Sequence, residues 1–242
     1  AMIAAAVTLG SYFRQHDQYD SAHFYAGQAL FWAQETGDTF DLAIATVGLG
    51  FSAMELDSLK RARYLFWQVA DISADSYPGF TDLARIGLGD CFYRRGELDS
   101  CLAYIAPIEK IYRQRPANPT FAYAAHLLGK VYRDQGHDAE AIEKLTDSYL
   151  TWHALGGFAD LIENLNDLAD IYLQQHEYNN SRKYYVAASQ LAQIYDLEQK
   201  NRYNINLDSR ISARLTPEEY VRAGKEGEAL AQEITQGREP IQ

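Results

Sequence analysis

The sequence predicts an all-α fold, an α-α superhelix of five stacked helical hairpins followed by C-terminal capping helices. The first observation behind this prediction is a repeat of about 40 residues. A Leu followed by a small residue recurs at intervals of 40, 39, 40 and 40, and the small residues are Gly10, Gly50, Gly89, Gly129 and Ala169. Small residues at such a period let neighbouring helices approach closely, as a stack of hairpins requires.

The second observation is that each unit holds two stretches of apolar residues at helical periodicity, separated by a turn at an equivalent place. Three positions after the small residue lies an aromatic in four of the five units: Phe13, Phe92, Tyr132 and Tyr172, with Ala53 in the second unit. In the turns, Gly96 and Gly136 are predicted to take the left-handed conformation that ends a helix. The acidic residues that follow are expected to accept hydrogen bonds from the first amides of the next helix.

Start signals and breaks place the individual elements. Asn118 before Pro119 predicts an N-cap with proline at the first helical position, and residues 216–219 (Thr-Pro-Glu-Glu) predict a capping box. Pro107 lies inside a predicted helix, which it should kink or deprive of one hydrogen bond. The last helix carries Glu and Lys on most faces, so we expect a polar cap in which Gly227 is exposed. The predicted helices span 3–15, 19–35, 38–56, 59–73, 80–95, 98–114, 119–135, 138–153, 158–175, 178–194, 197–213 and a last one from 216 onward.

These helices form five predicted repeats in one quasi-linear domain over 1–194, and residues 195–242 form the capping helices and tail. The repeats cover about 3–37, 38–79, 80–118, 119–157 and 158–194. The start at Ala1-Met2 is expected to belong to a fragment of a longer protein.

Charge and hydropathy exclude several partners. The chain has 33 acidic and 22 basic residues, a formal net charge of −11, which argues against direct binding of nucleic acid. No stretch approaches the roughly 18 consecutive apolar residues of a membrane span, and no basic segment precedes the first apolar run. We therefore expect a cytoplasmic protein with no membrane contact.

Motifs for chemistry are missing from the sequence, so we expect no catalytic residue, no metal site and no cofactor. Gly48-Leu49-Gly50 and Gly87-Leu88-Gly89 imitate the start of a dinucleotide-binding loop, but both recur in register with the repeat and are interpreted as packing positions. Cys91 and Cys101 are expected to be buried reduced thiols.

The Leu-small, aromatic, small pattern over residues 3–194 resembles the tetratricopeptide repeat (TPR) in a version with long helices. Within that superfamily the chain is similar to the C-terminal sensor arrays of bacterial STAND-class and LuxR-type signal-transduction ATPases. Three segments carry this resemblance: residues 34–50, 161–189 and 215–230. The resemblance implies a non-catalytic arm that binds a protein or peptide, while a receptor for a small anionic ligand or signalling peptide is the alternative.

In such arrays the first helix of each hairpin lines a concave groove, and this placement predicts the binding residues. They are Phe51, Met54, Asp90, Tyr93, Arg94, Tyr123, His126, Lys130, Arg133, Asn166 and Asp170. The opposing interpretation is that Phe51, Met54 and Ile86 pack against the next hairpin. Both interpretations remain open at this point.

A cationic stripe is the most specific part of this predicted groove. His126, Lys130 and Arg133 are spaced so that they project from nearly one helix face, and Arg94 is expected to point into the same channel. A ligand of this stripe should carry a carboxylate or phosphate, with Phe51, Met54 and Tyr93 around an apolar portion. The alternative is that the stripe forms salt bridges with acidic residues of adjacent units: Asp90, Glu163 and Asp170.

Overall fold

The computed structural model describes residues 1–73, 76–114 and 118–236. Within these ranges it contains twelve α-helices and one short 3₁₀ helix, and no β-strand. The all-α prediction is therefore confirmed. Residues 74–75, 115–117 and 237–242 of the predicted repeats and tail lie outside the described residues. The helices group into two compact units, residues 1–114 and 115–242.

The N-terminal unit consists of three helical hairpins. Its helices are α1 (Met2–Gln15), α2 (Tyr19–Thr36), α3 (Thr39–Glu55), α4 (Leu59–Ser73), α5 (Pro78–Tyr93) and α6 (Leu98–Tyr112). Each helix packs against the next, and the first helices of the hairpins (α1, α3 and α5) also pack side by side. Pro107 lies inside helix α6, as predicted, and the helix continues through it although proline has no N–H to donate.

Phe66 of α4 explains one glycine in each of the two Gly-Leu-Gly motifs of the N-terminal unit. Its ring is fully buried, and a Cβ added at Gly50 would lie 2.7 Å from the ring atom Cε1. A Cβ at Gly87 would lie 2.3 Å from the ring atom Cζ. These glycines therefore make room for an aromatic core residue, which confirms their interpretation as packing positions.

The C-terminal unit contains two hairpins and a capping region. Its helices are α7 (Pro119–Asp134), α8 (Asp138–Leu155), α9 (Phe158–Gln174), α10 (Tyr178–Ile194), α11 (Ile205–Ser212) and α12 (Pro217–Thr235), with a 3₁₀ helix at Glu198–Lys200. The first helices α7 and α9 contact each other, and α12 packs along α10. The predicted N-cap at Asn118 and the capping box at Thr216 and Glu219 are both confirmed.

The turns inside the five hairpins share one backbone geometry. A residue with positive φ follows the end of each first helix: Asp17 (55°), Asp57 (57°), Gly96 (76°), Gly136 (77°) and His176 (63°). The next amide donates to the carbonyl oxygen of the residue five positions back, at distances of 2.8–3.0 Å, and these carbonyls belong to Phe13, Ala53, Phe92, Tyr132 and Tyr172. This is the Schellman arrangement, and it confirms the left-handed glycines.

The acidic residues after these turns do not act as predicted. Glu97 and Glu177 occupy the N-cap positions of α6 and α10, but neither side chain accepts a hydrogen bond from the helix amides. The backbone at Glu97 has φ −88° and ψ 65°, and its amide donates to the carbonyl oxygen of Phe92, which closes the preceding turn. The turn geometry therefore fixes the start of the second helix without a side-chain cap.

The predicted helix over 197–213 is wrong. Asp196 takes the left-handed conformation (φ 57°) and ends α10, and the 3₁₀ helix Glu198–Lys200 is followed by non-helical residues 201–204. A new helix then begins because the Asn204 side chain accepts hydrogen bonds from the amides of Asn206 and Leu207, both at 3.1 Å. The helix is thus interrupted by a capping residue that periodicity alone did not reveal.

The expectation that Gly227 is exposed is also wrong. Gly227 is buried where α12 crosses α10, and a Cβ there would lie 2.5 Å from the backbone oxygen of Lys183. Gly129 of α7 is in a similar position, because its Cβ would lie 2.7 Å from Cγ of Leu145. The polar residues of α12 occupy its outer face, while a stripe of small residues contacts α10.

We predict that Gly129→Leu and Gly227→Ala each lower the free energy of unfolding by about 1–3 kcal/mol, since both contacts become overpacked. The matched control is Gly27→Ala in α2, where an added Cβ would meet nothing within 4 Å. There alanine should stabilise the chain by about 0.5–1 kcal/mol because glycine is unfavourable inside a helix. Urea unfolding followed by circular dichroism measures the free energy of unfolding of all three variants. Equal changes in this free energy for Gly27→Ala and Gly227→Ala would contradict the close packing described at Gly227.

Candidate functional site

An open polar cleft lies entirely within the C-terminal unit, with a volume of about 690 Å³. It contains three of the predicted binding residues: Lys130, Arg133 and Asp170. Its remaining lining residues come from α7, α9, the turn after α9, the non-helical segment and α11: Asp134, Asp167, Leu173, Gln174, His176, Arg202 and Arg210. Four Lys or Arg side chains thus meet three carboxylates around one cleft.

The carboxylate of Asp167 is the centre of the charge arrangement. Asp167 is 2% exposed, and its two oxygens lie 2.7 Å from Nε2 of His126, 3.1 Å from Nη1 of Arg133 and 2.8 Å from Nη1 of Arg202. We call these four residues the Asp167 cluster. In the cationic stripe, Arg133 therefore forms a salt bridge and His126 a hydrogen bond with an adjacent unit, as the alternative interpretation proposed. The carboxylate involved is Asp167, however, rather than the expected Glu163 or Asp170.

The surrounding charges determine the protonation state of Asp167. Burial alone would raise its pKa, but the hydrogen bond and charge of His126 oppose this effect. The charges of Arg202 and Lys130 act in the same direction, and the pKa of the carboxyl is held well below its usual range. Asp167 is therefore ionised whenever the protein is folded at neutral pH, and the cluster keeps its fixed negative centre.

The segment after the 3₁₀ helix supplies the other half of the site. Arg202 also contacts Asp170 at 3.0 Å, and Nζ of Lys200 lies 2.5 Å from Glu163. The Asn166 amide group donates to the backbone oxygen of Lys200 at 2.9 Å. Burial raises the pKa of Glu163, but the charge and hydrogen bond of Lys200 bring it below its ordinary value. The predicted residues Asn166 and Asp170 thus contact the chain's own segment.

A second polar network fixes the helix that follows. Arg182 of α10 donates to Asp208 at 2.6 Å and to the backbone oxygen of Tyr220 at 3.1 Å, and its guanidinium lies 3.4 Å from the centre of the Tyr220 ring. The Tyr220 hydroxyl donates to Asp208 at 2.8 Å. These contacts hold α11 against α10 and α12, and α11 carries Arg210 of the cleft.

Two arginines of this region have no salt bridge among the described residues, Arg210 of α11 and Arg214 just after it. Both are exposed. They line a smaller neighbouring cleft of about 380 Å³ together with His176 and Tyr178. Cationic groups without an internal carboxylate partner are available to an external anion.

The predicted residues of the N-terminal unit have mostly structural contacts. Met54 is 1% exposed, and its Sδ lies 3.9 Å from Sγ of Cys91. The Phe51 ring packs on Phe66 with ring centres 5.1 Å apart. The side chains of Met54 and Phe51 therefore pack inside the N-terminal unit, as the second of the two interpretations above proposed. Burial raises the pKa of Cys91 to about 11, so this thiol is protonated at neutral pH.

Arg94 also pairs within the N-terminal unit. It contacts Glu55 at 2.8 Å and Asp90 at 3.5 Å, and Tyr93 beside it is half-buried. In the C-terminal unit, the Tyr123 ring packs edge-on against Trp152 with ring centres 4.8 Å apart. Of the predicted groove residues, the structure therefore brings Lys130, Arg133 and Asp170 together in one cleft.

Sequence reasoning missed the acidic centre and its partner segment. Glu163, Asp167 and Asp170 occupy positions i, i+4 and i+7 of α9, the same spacing as His126, Lys130 and Arg133 of α7. That matching pattern of opposite charge was a readable signal for Asp167. Lys200 and Arg202 had no comparable signal, because they were placed inside a predicted helix.

Within the described ranges, no group of three His, Cys, Asp or Glu residues is arranged to hold a metal ion. None of the described helices is both long and apolar enough to cross a membrane.

No protein-family model and no curated protein matches this sequence. Among solved structures, BtubC (BKLC) from P. vanneervenii aligns over 95% of this chain and 94% of its own, with a TM-score of 0.59 and 14% identity. A putative kinesin light chain of Podosopora anserina with nearly identical TPR-like repeats aligns over 78% of this chain and 94% of its own, with a TM-score of 0.51 and 16% identity. These likenesses confirm the predicted fold class, an α-α superhelix of TPR-like hairpins.

We predict that Asp167→Asn lowers the free energy of unfolding at pH 7 by about 3–5 kcal/mol, because it leaves the guanidinium groups of Arg133 and Arg202 and the imidazole of His126 without their shared carboxylate. The folded pKa of Asp167 is depressed, so its contribution is complete above the unfolded value of about 3.9 and is lost as the pH falls toward the folded value. The deficit of the variant should therefore be constant from pH 7 to about 5 and shrink below pH 4.

Urea unfolding at several pH values measures this difference. Asp134→Asn is the matched control, since Asp134 contacts Arg133 at 3.0 Å but is 37% exposed. It should cost less than about 1 kcal/mol. A deficit for Asp167→Asn that did not change with pH would show that lost packing, rather than lost charge, is responsible.

Proposed function

We propose that this chain is a non-catalytic interaction module that binds a carboxylate-bearing segment of a partner protein in the cleft of the C-terminal unit. The observation that supports this proposal most directly is the set of four cationic side chains in that cleft, on a chain of net charge −11. Repeat folds of this type expose long inner faces to partners, and function resides in the side chains on them.

The four cations do not contribute equally. Arg133 and Arg202 are held by Asp167, so they position the cleft wall and present only their remaining N–H groups. Arg210 of α11 has no salt bridge among the described residues, and Lys130 of α7 is half-buried in the same cleft. A carboxylate placed between Lys130 and Arg210 would gain charge-assisted hydrogen bonds, worth about 1.5–3 kcal/mol each.

The open form of the cleft favours a protein segment over an enclosed small molecule. The second candidate function, a receptor for a small anionic ligand, draws support from the smaller cleft of about 380 Å³ beside Arg210 and Arg214. A phosphate or dicarboxylate would fit between those two arginines and His176.

We further propose that this module is the sensor arm of a bacterial signal-transduction ATPase of the STAND class. Support comes from the joint at residues 34–50 and the terminal pattern at 215–230 described above. The proposal predicts that the gene encodes a nucleotide-binding domain next to this segment. A gene lacking one would contradict it.

We predict that a fluorescein-labelled hexaglutamate peptide binds the chain and that Lys130→Ala or Arg210→Ala each weakens its affinity about tenfold. Affinity should also fall as the salt concentration rises, because the contacts are ionic. Arg222→Ala is the matched control: it removes the same charge from the exposed face of α12, where Arg222 pairs with Glu226 at 3.9 Å. Fluorescence anisotropy measures the affinity of the peptide for the wild type and for the three variants.

Equal losses for Arg222→Ala and Arg210→Ala would mean that only net charge matters and would overturn the assignment to the cleft. Competition by inorganic phosphate, lost in Arg214→Ala but not in Lys130→Ala, would favour the small-ligand receptor instead.

A further inference from the structure

A short segment of this chain lies against the face of α9 as a bound peptide would. We call residues 200–204 the strap. The strap begins at Lys200, the last residue of the 3₁₀ helix, leaves helical geometry at Asn201 (φ −76°, ψ 112°) and remains extended at Asn204 (φ −137°, ψ 171°). The amides of Lys200 and Asn201 still make hydrogen bonds of the 3₁₀ helix, and side chains of neighbouring elements hold the strap in place.

Four successive strap residues each have a specific partner. Lys200 pairs with Glu163 at 2.5 Å, and Arg202 pairs with Asp167 at 2.8 Å. The amide group of Asn201 between them donates to the Ser189 hydroxyl of α10 at 3.2 Å. The Tyr203 ring stacks on the fully buried Tyr185, with ring centres 5.3 Å apart. Both cations therefore contact the same helix, α9: Lys200 reaches it from the end of the 3₁₀ helix and Arg202 from the non-helical segment.

Helix α9 recognises backbone as well as charge. Asn166 is fully buried, and its amide group donates to the carbonyl oxygen of Lys200 at 2.9 Å. Such a contact is independent of the side chain at that position and is a common means of holding an extended peptide. Glu163, Asn166, Asp167 and Asp170 thus form one continuous receptor face on a single helix.

The charges on this face require a cationic occupant. If the strap left, Asp167 would keep its contacts with His126 and Arg133. Glu163 would lose its salt bridge with Lys200, and Asp170 would lose its salt bridge with Arg202 while keeping the hydrogen bond from the Tyr185 hydroxyl. Carboxylates left without their partners lower the stability of the open state. A basic segment from another protein would restore the same contacts.

We infer that the face of α9 is a binding site for an extended segment of a partner protein with the pattern Lys-x-Arg-aromatic, and that the strap occupies this site in cis until the partner displaces it. This site shares Asp167 and Asp170 with the lining of the cleft, but it binds its ligand through the carboxylates of α9 rather than through the cations of the cleft. Its ligand has the opposite charge.

The test uses a labelled peptide with the sequence of residues 198–204 and a variant in which Lys200→Ser and Arg202→Ser remove both cationic side chains of the strap. We call this variant the disarmed chain. The disarmed chain should bind the peptide at least tenfold more tightly than the wild type, whose own strap competes. A peptide with Glu in place of both cations is the control and should not bind. Adding Glu163→Gln and Asp170→Asn to the disarmed chain should abolish binding, whereas adding Asp134→Asn should leave the affinity unchanged.

A disarmed chain that keeps its helical circular dichroism and melting transition but does not bind the peptide would overturn the proposal. If the disarmed chain does not fold, the proposal is tested instead by measuring amide hydrogen exchange in the wild-type chain. The amides of residues 200–204 should exchange at least tenfold faster than those of α9, since the strap must open while the hairpins stay folded. Exchange at the same rate would show that the strap opens only on global unfolding and would also overturn the proposal.

Two further outcomes identify other ligands. A dimer of the wild-type chain that is absent from the disarmed chain would assign the face to the strap of a second copy. Hexaglutamate binding that survives in the disarmed chain, while the basic peptide fails, would leave the cleft proposal standing and reject this one.

Discussion

The carboxylate of Asp167 joins three parts of the C-terminal unit that are distant in sequence. Its Oδ2 atom contacts His126 of α7, and its Oδ1 atom contacts both Arg133 of α7 and Arg202 of the strap. A buried charge is stable only when it is paired, so α7, α9 and the strap are obliged to meet at this point. The wall of the cleft, the orientation of the cationic stripe and the course of the chain after α10 all depend on that requirement.

The fold itself follows from simpler constraints that the sequence displays. Glycines at Gly50, Gly87 and Gly129 mark places where a neighbouring Phe66 or Leu145 side chain leaves no space for a Cβ. Five Schellman turns recur at the same register even where the left-handed residue is Asp57 or His176 instead of glycine. Periodicity and turn position therefore predicted the hairpins well, because both are local properties repeated five times.

The site was harder to predict because it depends on one non-repeated element. Apolar spacing over 197–213 suggested a helix, and nothing in that spacing reveals that Asn204 caps a new helix or that Lys200 and Arg202 reach back to α9. Gly227 was misplaced for a related reason, since the small-residue stripe of α12 is hidden among Glu and Lys residues. The tertiary contacts of a capping region are hard to predict from the sequence, because the region occurs only once. Its residues cannot be aligned with equivalent positions of other repeats.

Arg202 links the two proposed binding surfaces of the C-terminal unit. While the strap is in place, Arg202 lies in the cleft wall and adds to its positive charge. A basic segment that displaced the strap from α9 would remove Arg202 from the cleft and would also free the connection to α11, which carries Arg210. Binding of the basic segment would then weaken binding of the acidic one. Because coupling between sites is reciprocal, an acidic ligand in the cleft would equally hold the strap closed. The same arginine would thus make the two ligands antagonists without any contact between them.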